Sequence, residues 1–452
     1  MTATHDPVDL VVHADAALID GAFRPATIAV RAGAIAAIEP LGSPLEGREI
    51  VRLAPGEVLI PGLVDTHVHV NEPGRTEWEG FASATRAAAA GGVTTIIDMP
   101  LNSIPPTVDP AALARKRVAA APQAFVDVGF WGGAVPGNLG SLRALHDAGV
   151  FGFKCFLSPS GVDEFPHLDP AQLLAALREL AEFDGLLIVH AEDPAVLDAH
   201  ENDGGTSYAR FVDSRPPEAE LTAIGRVIDG IRETGGRAHI LHLSSAAALP
   251  LIAAAKAEGL RLTAETCPHY LTLDAEHIPD GATEFKCCPP IRDEHNRDLL
   301  WQGLLDGTLD LVVSDHSPAT AELKLGFDGD FGRAWGGISG LQLGLANVWT
   351  DAARRGIGLE RVLGWMSSGP AGFAGLASKG RIVVGADADL VAFAPDAAFT
   401  VEPAALAHKN PVSAYAGAAL TGVVRTTWLR GIPVGDEARG RLLERAEDRS
   451  TA

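Results

Sequence analysis

The sequence predicts an α/β chain: a closed (β/α)₈ TIM barrel carrying a small β-sandwich built from both termini. Three patterns carry that prediction. Apolar, strand-like runs alternate with Ala-rich helical segments through the middle of the chain. Short apolar runs broken by Gly and Pro occupy both ends. Polar residues interrupt the middle strands mostly near their C-terminal ends, the rim where barrel enzymes carry their chemistry.

From the start, DLVVHADAALID, FRPATIAVRAGAIAAIEP and EIVRLAPGEVLI read as strands separated by turns. The same texture returns in KGRIVVGADADLVAFAP and near Val423 to Val434, which suggests one sandwich shared between residues 1–57 and 379–452. Between them, residues 58–378 supply eight candidate strands, at 63–70, 93–100, 125–133, 150–157, 186–192, 238–244, 262–271 and 309–318. Helix-like stretches such as AQLLAALRELAEF and LPLIAAAKAEGL separate most of them. Strict alternation implies a parallel sheet, and eight strands suit a closed barrel. An open doubly wound sheet is the alternative, but no GxGxxG follows the first strand.

Charge and cysteine content narrow the function. With 36 Lys and Arg against 58 Asp and Glu, the net charge is −22. So acidic a surface repels phosphate backbones and anionic lipid, which argues against nucleic-acid and membrane partners. Cys155, Cys267, Cys287 and Cys288 form no CxxC pair and read as reduced thiols. The start of the chain lacks a basic region followed by an apolar run, so a cytoplasmic protein is expected.

The candidate site gathers at strand ends. His67 and His69 alternate with Val68, so period two puts both imidazoles on one face. Lys154 falls in the fourth strand, His190 in the fifth, His242 in the sixth and Asp315 in the eighth. A single histidine in such a place is more often a hydrogen-bonded core residue, and an Asp there is commonly a helix cap. Their joint occurrence at one rim favours a metal site, and imidazole with carboxylate suits zinc or a similar divalent ion. Lys154 lies in GFKCFL, where a buried ammonium needs compensation. Pairing with an acid is the ordinary remedy. Addition of CO₂ is another: the carbamate carries a negative charge and two oxygens that can bridge two metals.

The stretch PGLVDTHVHVNEPGRTEWEGFASATRAAAAGGVTTIIDMPLNSIPPT resembles the cyclic amidohydrolase branch of the amidohydrolase superfamily. GFKCFLSPSGVDEFP, HAE, HLSS, ETCPHYL, KCCPPIR and SDHSP continue the likeness over nearly the whole chain. The resemblance implies two divalent metals, zinc first with manganese or cobalt as alternatives. It places one on His67, His69 and Asp315, the other on His190 and His242, with carbamylated Lys154 between them. It implies Asp315 as the proton carrier, a small-molecule substrate and a homotetramer.

The same resemblance bears on the ring. Members acting on carboxylate-bearing dihydroorotate typically read HxHxR, whereas Asn71 stands there in this chain. Members acting on hydantoins or dihydropyrimidines typically have a Tyr after the lysine strand, where this chain reads SPSGVDEFP. The expectation is therefore a neutral pocket that opens allantoin to allantoate, with Asn71 as a substrate contact or a turn residue. Without that Tyr, Ser160, Ser317 and backbone amides near Cys288 or Gly337 are the candidate oxyanion donors, and for Ser317 loop capping is equally open. His269 and His316 are expected in supporting or packing roles. His5, His13, His146, His200, His277 and His408 are expected at the surface.

Overall fold

The computed structural model describes residues 7–445. The first five strands are β1 (Val8–Ile19), β2 (Ala22–Arg31), β3 (Ala34–Glu39), β4 (Gly47–Arg52) and β5 (Val58–Pro61). The last three are β15 (Leu390–Thr400), β16 (Ala419–Leu429) and β17 (Ile432–Pro433). All eight join one mixed sheet, in which β5 pairs in parallel with β1 and antiparallel with β15. The β-domain drawn from both ends of the chain is therefore stitched by one short strand. Val58–Pro61 belongs to that sheet, so a boundary between residues 57 and 58 falls just before one of its strands. Alternating residues such as Leu10, Val12, Ala14, Ile28, Leu390 and Trp428 bury one face around a common core.

Between these ends lie β6 (Leu63–Val68), β7 (Val93–Asp98), β8 (Asp127–Phe130), β9 (Gly132–Gly133), β10 (Phe153–Phe156), β11 (Leu186–His190), β12 (Arg237–Ile240), β13 (Leu262–Thr266) and β14 (Leu311–Val312). They pair in parallel in chain order, with β8 and β9 as two parts of the third barrel strand. Closure comes from a parallel bridge between Val68 and His316 and from the His69 N–H donating to the His316 carbonyl at 2.8 Å. Nearly every strand residue is buried, as expected where helices cover one face and the barrel core fills the other.

Helix starts are written locally. Asp109, Asp169 and Asp193 each accept a backbone N–H three residues on and are each followed by proline. Asp293 caps Glu294–Asp306 in the same way, and Gly307 ends that helix in a left-handed conformation.

A buried charge cluster joins the two domains. Lys379 Nζ lies 2.6 Å from Asp127, 2.9 Å from Asp387 and 2.7 Å from Asp389, and Arg430 also pairs with Asp127. The ammonium occupies the position a cation would take among these three acids. Among the described residues, no helix is long and apolar enough to cross a membrane. All four cysteines are free, in line with the expectation of reduced thiols.

Candidate metal centre

The fold brings all six predicted ligand residues to one rim. His67 is the next-to-last residue of the buried β6 and His69 lies just past its end, Lys154 lies in β10, and His190 is the last residue of β11. His242 and Asp315 follow β12 and β14 by two and three residues. Both hold a positive φ, 35° and 43°, a sparsely populated conformation for residues with a Cβ. All six side chains are buried.

His67 Nε2 lies 3.0 Å from Asp315 Oδ1, and His69 Nε2 lies 3.7 Å from the same oxygen. His190 Nδ1 and His242 Nε2 are 3.0 Å apart. The donor atoms of His67, His242 and Asp315 all fall within 4.8 Å of one another. His67 Nε2 makes no properly directed hydrogen bond despite its approach to Asp315, and His242 Nδ1 has no partner either. Lys154 forms no ion pair or hydrogen bond among the described residues; its Nζ sits 4.9 Å over the Phe156 ring. Converging nitrogen and carboxylate lone pairs beside an uncompensated lysine fit a divalent-metal site with a bridging group.

Electrostatics follow from burial and crowding. Burial works against the charged form of His67, but Asp315 and Glu265 outweigh it and raise its pKa to about 9. His69 and His242 are pushed well below the usual imidazole range, chiefly by burial and further by Lys154 and the neighbouring histidines. Burial lowers Lys154 to about 8 against the pull of Asp315 and Glu265. Burial opposes ionisation of Asp315, yet its histidine neighbours hold it well below the carboxylate range.

Two acids that the sequence reading left without a role orient the histidines. Glu265 Oε1 meets His67 Nδ1 at 2.5 Å, and its other oxygen meets His239 Nε2 at 2.9 Å. Glu192 Oε2 meets His190 Nε2 at 2.8 Å. In each case the carboxylate engages one ring nitrogen and leaves the other facing the site, the arrangement that fixes a metal-ligating tautomer. Glu192 stands two residues past His190, and Glu265 lies in the strand of ETCPHYL, so the motifs held the signal.

A cavity of about 350 Å³ opens over this centre, lined on one side by His69, Lys154, His190, His242 and Asp315. Ser160, Cys288, Ser317 and Gly337 line it as expected. Asn71 does not. It is fully buried at φ 66°, its amide donating to the Pro318 carbonyl, so it ties the turn after the first barrel strand to the loop after the last. The expectation of a neutral pocket also fails, because Arg215, Lys286 and Arg333 line the cavity.

The oxyanion candidates thin out as well. Ser160 Oγ donates within its own loop, to the Phe165 carbonyl at 2.6 Å and the Val162 carbonyl at 3.1 Å. The Gly337 amide is spent on the Lys286 carbonyl at 2.8 Å. A Cβ at Gly337 would lie 2.3 Å from the Ser317 carbonyl, so the close turn here requires glycine. Ser317 Oγ donates to Asp315 Oδ1 at 2.9 Å and so holds the carboxylate.

Among the other histidines, His200 and His277 are exposed and His13 is half-buried, while His5 lies outside the described residues. His146 and His408 are buried, contrary to expectation: His146 packs on Phe183 and His408 on His316. His269 and His316 are buried near the site in supporting positions, His316 Nε2 lying 3.3 Å from Glu79.

A barrel rim bearing four converging histidines, an aspartate and a buried lysine has the donor set of the metal-dependent hydrolases. The chain belongs to the amidohydrolase family, whose model matches residues 58–434. It is 58% identical to an allantoinase of Streptomyces avermitilis, over 97% of this chain and 99% of that protein. It is 44% identical to an allantoinase of Saccharomyces cerevisiae over 96% of each chain. Among solved structures, an L-hydantoinase (dihydropyrimidinase) from Arthrobacter aurescens superposes with a TM-score of 0.91 at 30% identity, covering 97% of this chain and all of that one.

Proposed function

We propose that this enzyme hydrolyses the hydantoin-ring amide of allantoin to give allantoate. The observation that carries the reading is the convergence of six ligand-type side chains on one barrel rim, five of them lining its cavity, in a chain whose bacterial and yeast relatives are allantoinases.

His67, His69 and Asp315 would hold one divalent ion and His190 and His242 a second, with Lys154, carbamylated by CO₂, between them. When bound, such ions lower the pKa of water toward neutrality and polarise a carbonyl. Asp315 takes the proton from the attacking water and returns it to the ring nitrogen as the C–N bond breaks. Ser317 keeps the Asp315 carboxylate turned toward the cavity through the 2.9 Å hydrogen bond. Glu265 and Glu192 hold His67 and His190 in the tautomers that leave a lone pair facing the site. Zinc suits the nitrogen-rich set, with manganese and cobalt accepting the same ligands. The free thiols fit a reducing cytoplasm, and a homotetramer belongs to the same proposal by family likeness.

The test is kcat/KM on allantoin, dihydroorotate, hydantoin and dihydrouracil with one purified preparation. Allantoin is expected to be preferred. Preferred turnover of any other ring overturns the substrate assignment while leaving the hydrolase class intact.

A further inference from the structure

Buried cations in this protein usually meet acids. Lys116 pairs with Asp98 at 2.7 Å, Arg292 with Glu220 at 2.7 Å, and Lys379 with three aspartates. Lys324 has no acid within ion-pair distance among the described residues but spends its three protons on the carbonyls of Lys286, Trp335 and Gly337. Those bonds fix the wall on which Lys286 stands.

Lys286 is different. Its Nζ donates to the Ala334 carbonyl at 2.6 Å and the Gly332 carbonyl at 3.3 Å, and no carboxylate lies within ion-pair distance among the described residues. An ammonium has three protons, so one is left without a hydrogen-bond acceptor, the charge otherwise lying 5.6 Å from the centre of the Phe211 ring. Arg215 uses Nε and Nη2 on Glu192, at 3.0 and 2.5 Å, and its Nη1 has no partner among the described residues. Both side chains line the catalytic cavity and also a second chamber of about 330 Å³ that adjoins it. Two uncommitted donors thus share a wall of the cavity that holds the metal-type ligands.

We propose that Lys286 and Arg215 form the subsite for the ureido arm of the ring substrate, their spare N–H groups converging on its carbonyl oxygen. The proposal rests on the reading that the ring is allantoin. The arm is carried on the ring carbon bonded to the carbonyl that is attacked, so with that carbonyl at the ligand cluster the arm projects from beside it into the rest of the cavity, where this polar wall stands. A urea oxygen has two lone pairs and can accept both donors at once. Glu192 already neutralises Arg215, so the uncompensated charge of this pair of donors is that of Lys286 alone, and turnover of a carboxylate-bearing ring is the outcome that would assign them to an anion instead. Neither residue belongs to the ligand cluster, so their effect falls on selection among rings.

The experiment is Lys286→Met, measured on allantoin and on unsubstituted hydantoin, which lacks the arm. The ratio of kcat/KM for allantoin to that for hydantoin is expected to fall about 10- to 100-fold, the range one charge-assisted hydrogen bond supplies. If hydantoin is not turned over, its competitive inhibition constant against allantoin takes the place of its kcat/KM. Lys286→Arg, which retains a donor, is expected to recover part of the ratio. An unchanged ratio overturns the subsite, whether both rings are unaffected or both lose equally because the loop at residues 332–337 has shifted. Wild-type preference for dihydroorotate is a separate outcome, visible before any variant is made, and it overturns the substrate reading on which the subsite rests.

Discussion

Glu265→Gln should uncouple the metal centre while leaving the barrel standing. The wild-type carboxylate accepts from two rings at once, His67 Nδ1 at 2.5 Å and His239 Nε2 at 2.9 Å, and from the His242 backbone N–H at 3.2 Å. A glutamine of the same shape has one acceptor oxygen and one donor nitrogen, so only one of the two rings can still donate to it. Where the amide nitrogen faces His67, it meets Nδ1 as a donor and can no longer accept that ring's proton. The ring proton would then move to Nε2, the atom 3.0 Å from Asp315 Oδ1 and the one needed as a ligand. Loss of such a supporting partner typically costs 10- to 100-fold in metal affinity, or about 1.4–2.7 kcal/mol. Chelator competition reads the affinity, and kcat at saturating metal reads the rest. The expected result is weaker metal binding with most of the activity recovered at high metal. Wild-type affinity in Glu265→Gln would refute the tautomer argument, and loss of the folded state by circular dichroism would show that Glu265 serves the barrel instead.

Three further outcomes follow from the same contacts. Protein stripped of metal and reconstituted without bicarbonate should recover little activity, and Lys154→Ala should bind metal weakly until a short carboxylic acid is supplied; full recovery without CO₂ would refute the carbamate. Asp315→Asn should lose kcat by about 10²-fold or more while losing far less metal, as expected for a missing proton carrier; wild-type turnover would point to another group, with His316 the first to test. Lys379→Met should destabilise the fold by about 3–5 kcal/mol in denaturant titration, because it strands the buried Asp127 and Asp389 without their cation; a loss below about 1 kcal/mol would show that Arg430 suffices.

The convergence of the six predicted residues on one rim was legible from strand geometry, and their assignment to metals came from the family resemblance. Period two put His67 and His69 on one face, and the C-terminal ends of parallel strands meet wherever a barrel closes, however far apart they lie in sequence. The supporting acids were less legible. Glu192 and Glu265 sit in visible motifs, but an acid in a strand faces its partner only once the neighbouring strand's register is known. Asn71 was read from its place in the HxHxR comparison as a substrate contact or a turn residue, and its positive φ, which ends the strand and turns the side chain into the protein, matches the turn. Lys286 opens the KCCPPIR motif and Arg215 lies outside the motifs quoted, and nothing in either local pattern announces that both reach one wall. Burial of His146 and His408 likewise depends on which aromatic rings the tertiary fold brings against them.

The pairing of β5 with β15 has a consequence for how the chain is made. About 330 residues separate the two partners, and at the usual pace of synthesis the first waits about 20 to 60 s on the ribosome for the second. Through that interval Val58, Leu59, Ile60 and Pro61 have no strand to cover the edge that Leu390–Phe393 will later occupy. The barrel strands emerge meanwhile and can pair in sequence, each finding a neighbour already present. The nascent protein thus passes through a stage with a growing barrel and an open apolar edge at its head, where chaperone contact or mispairing between neighbouring polysomal chains is concentrated.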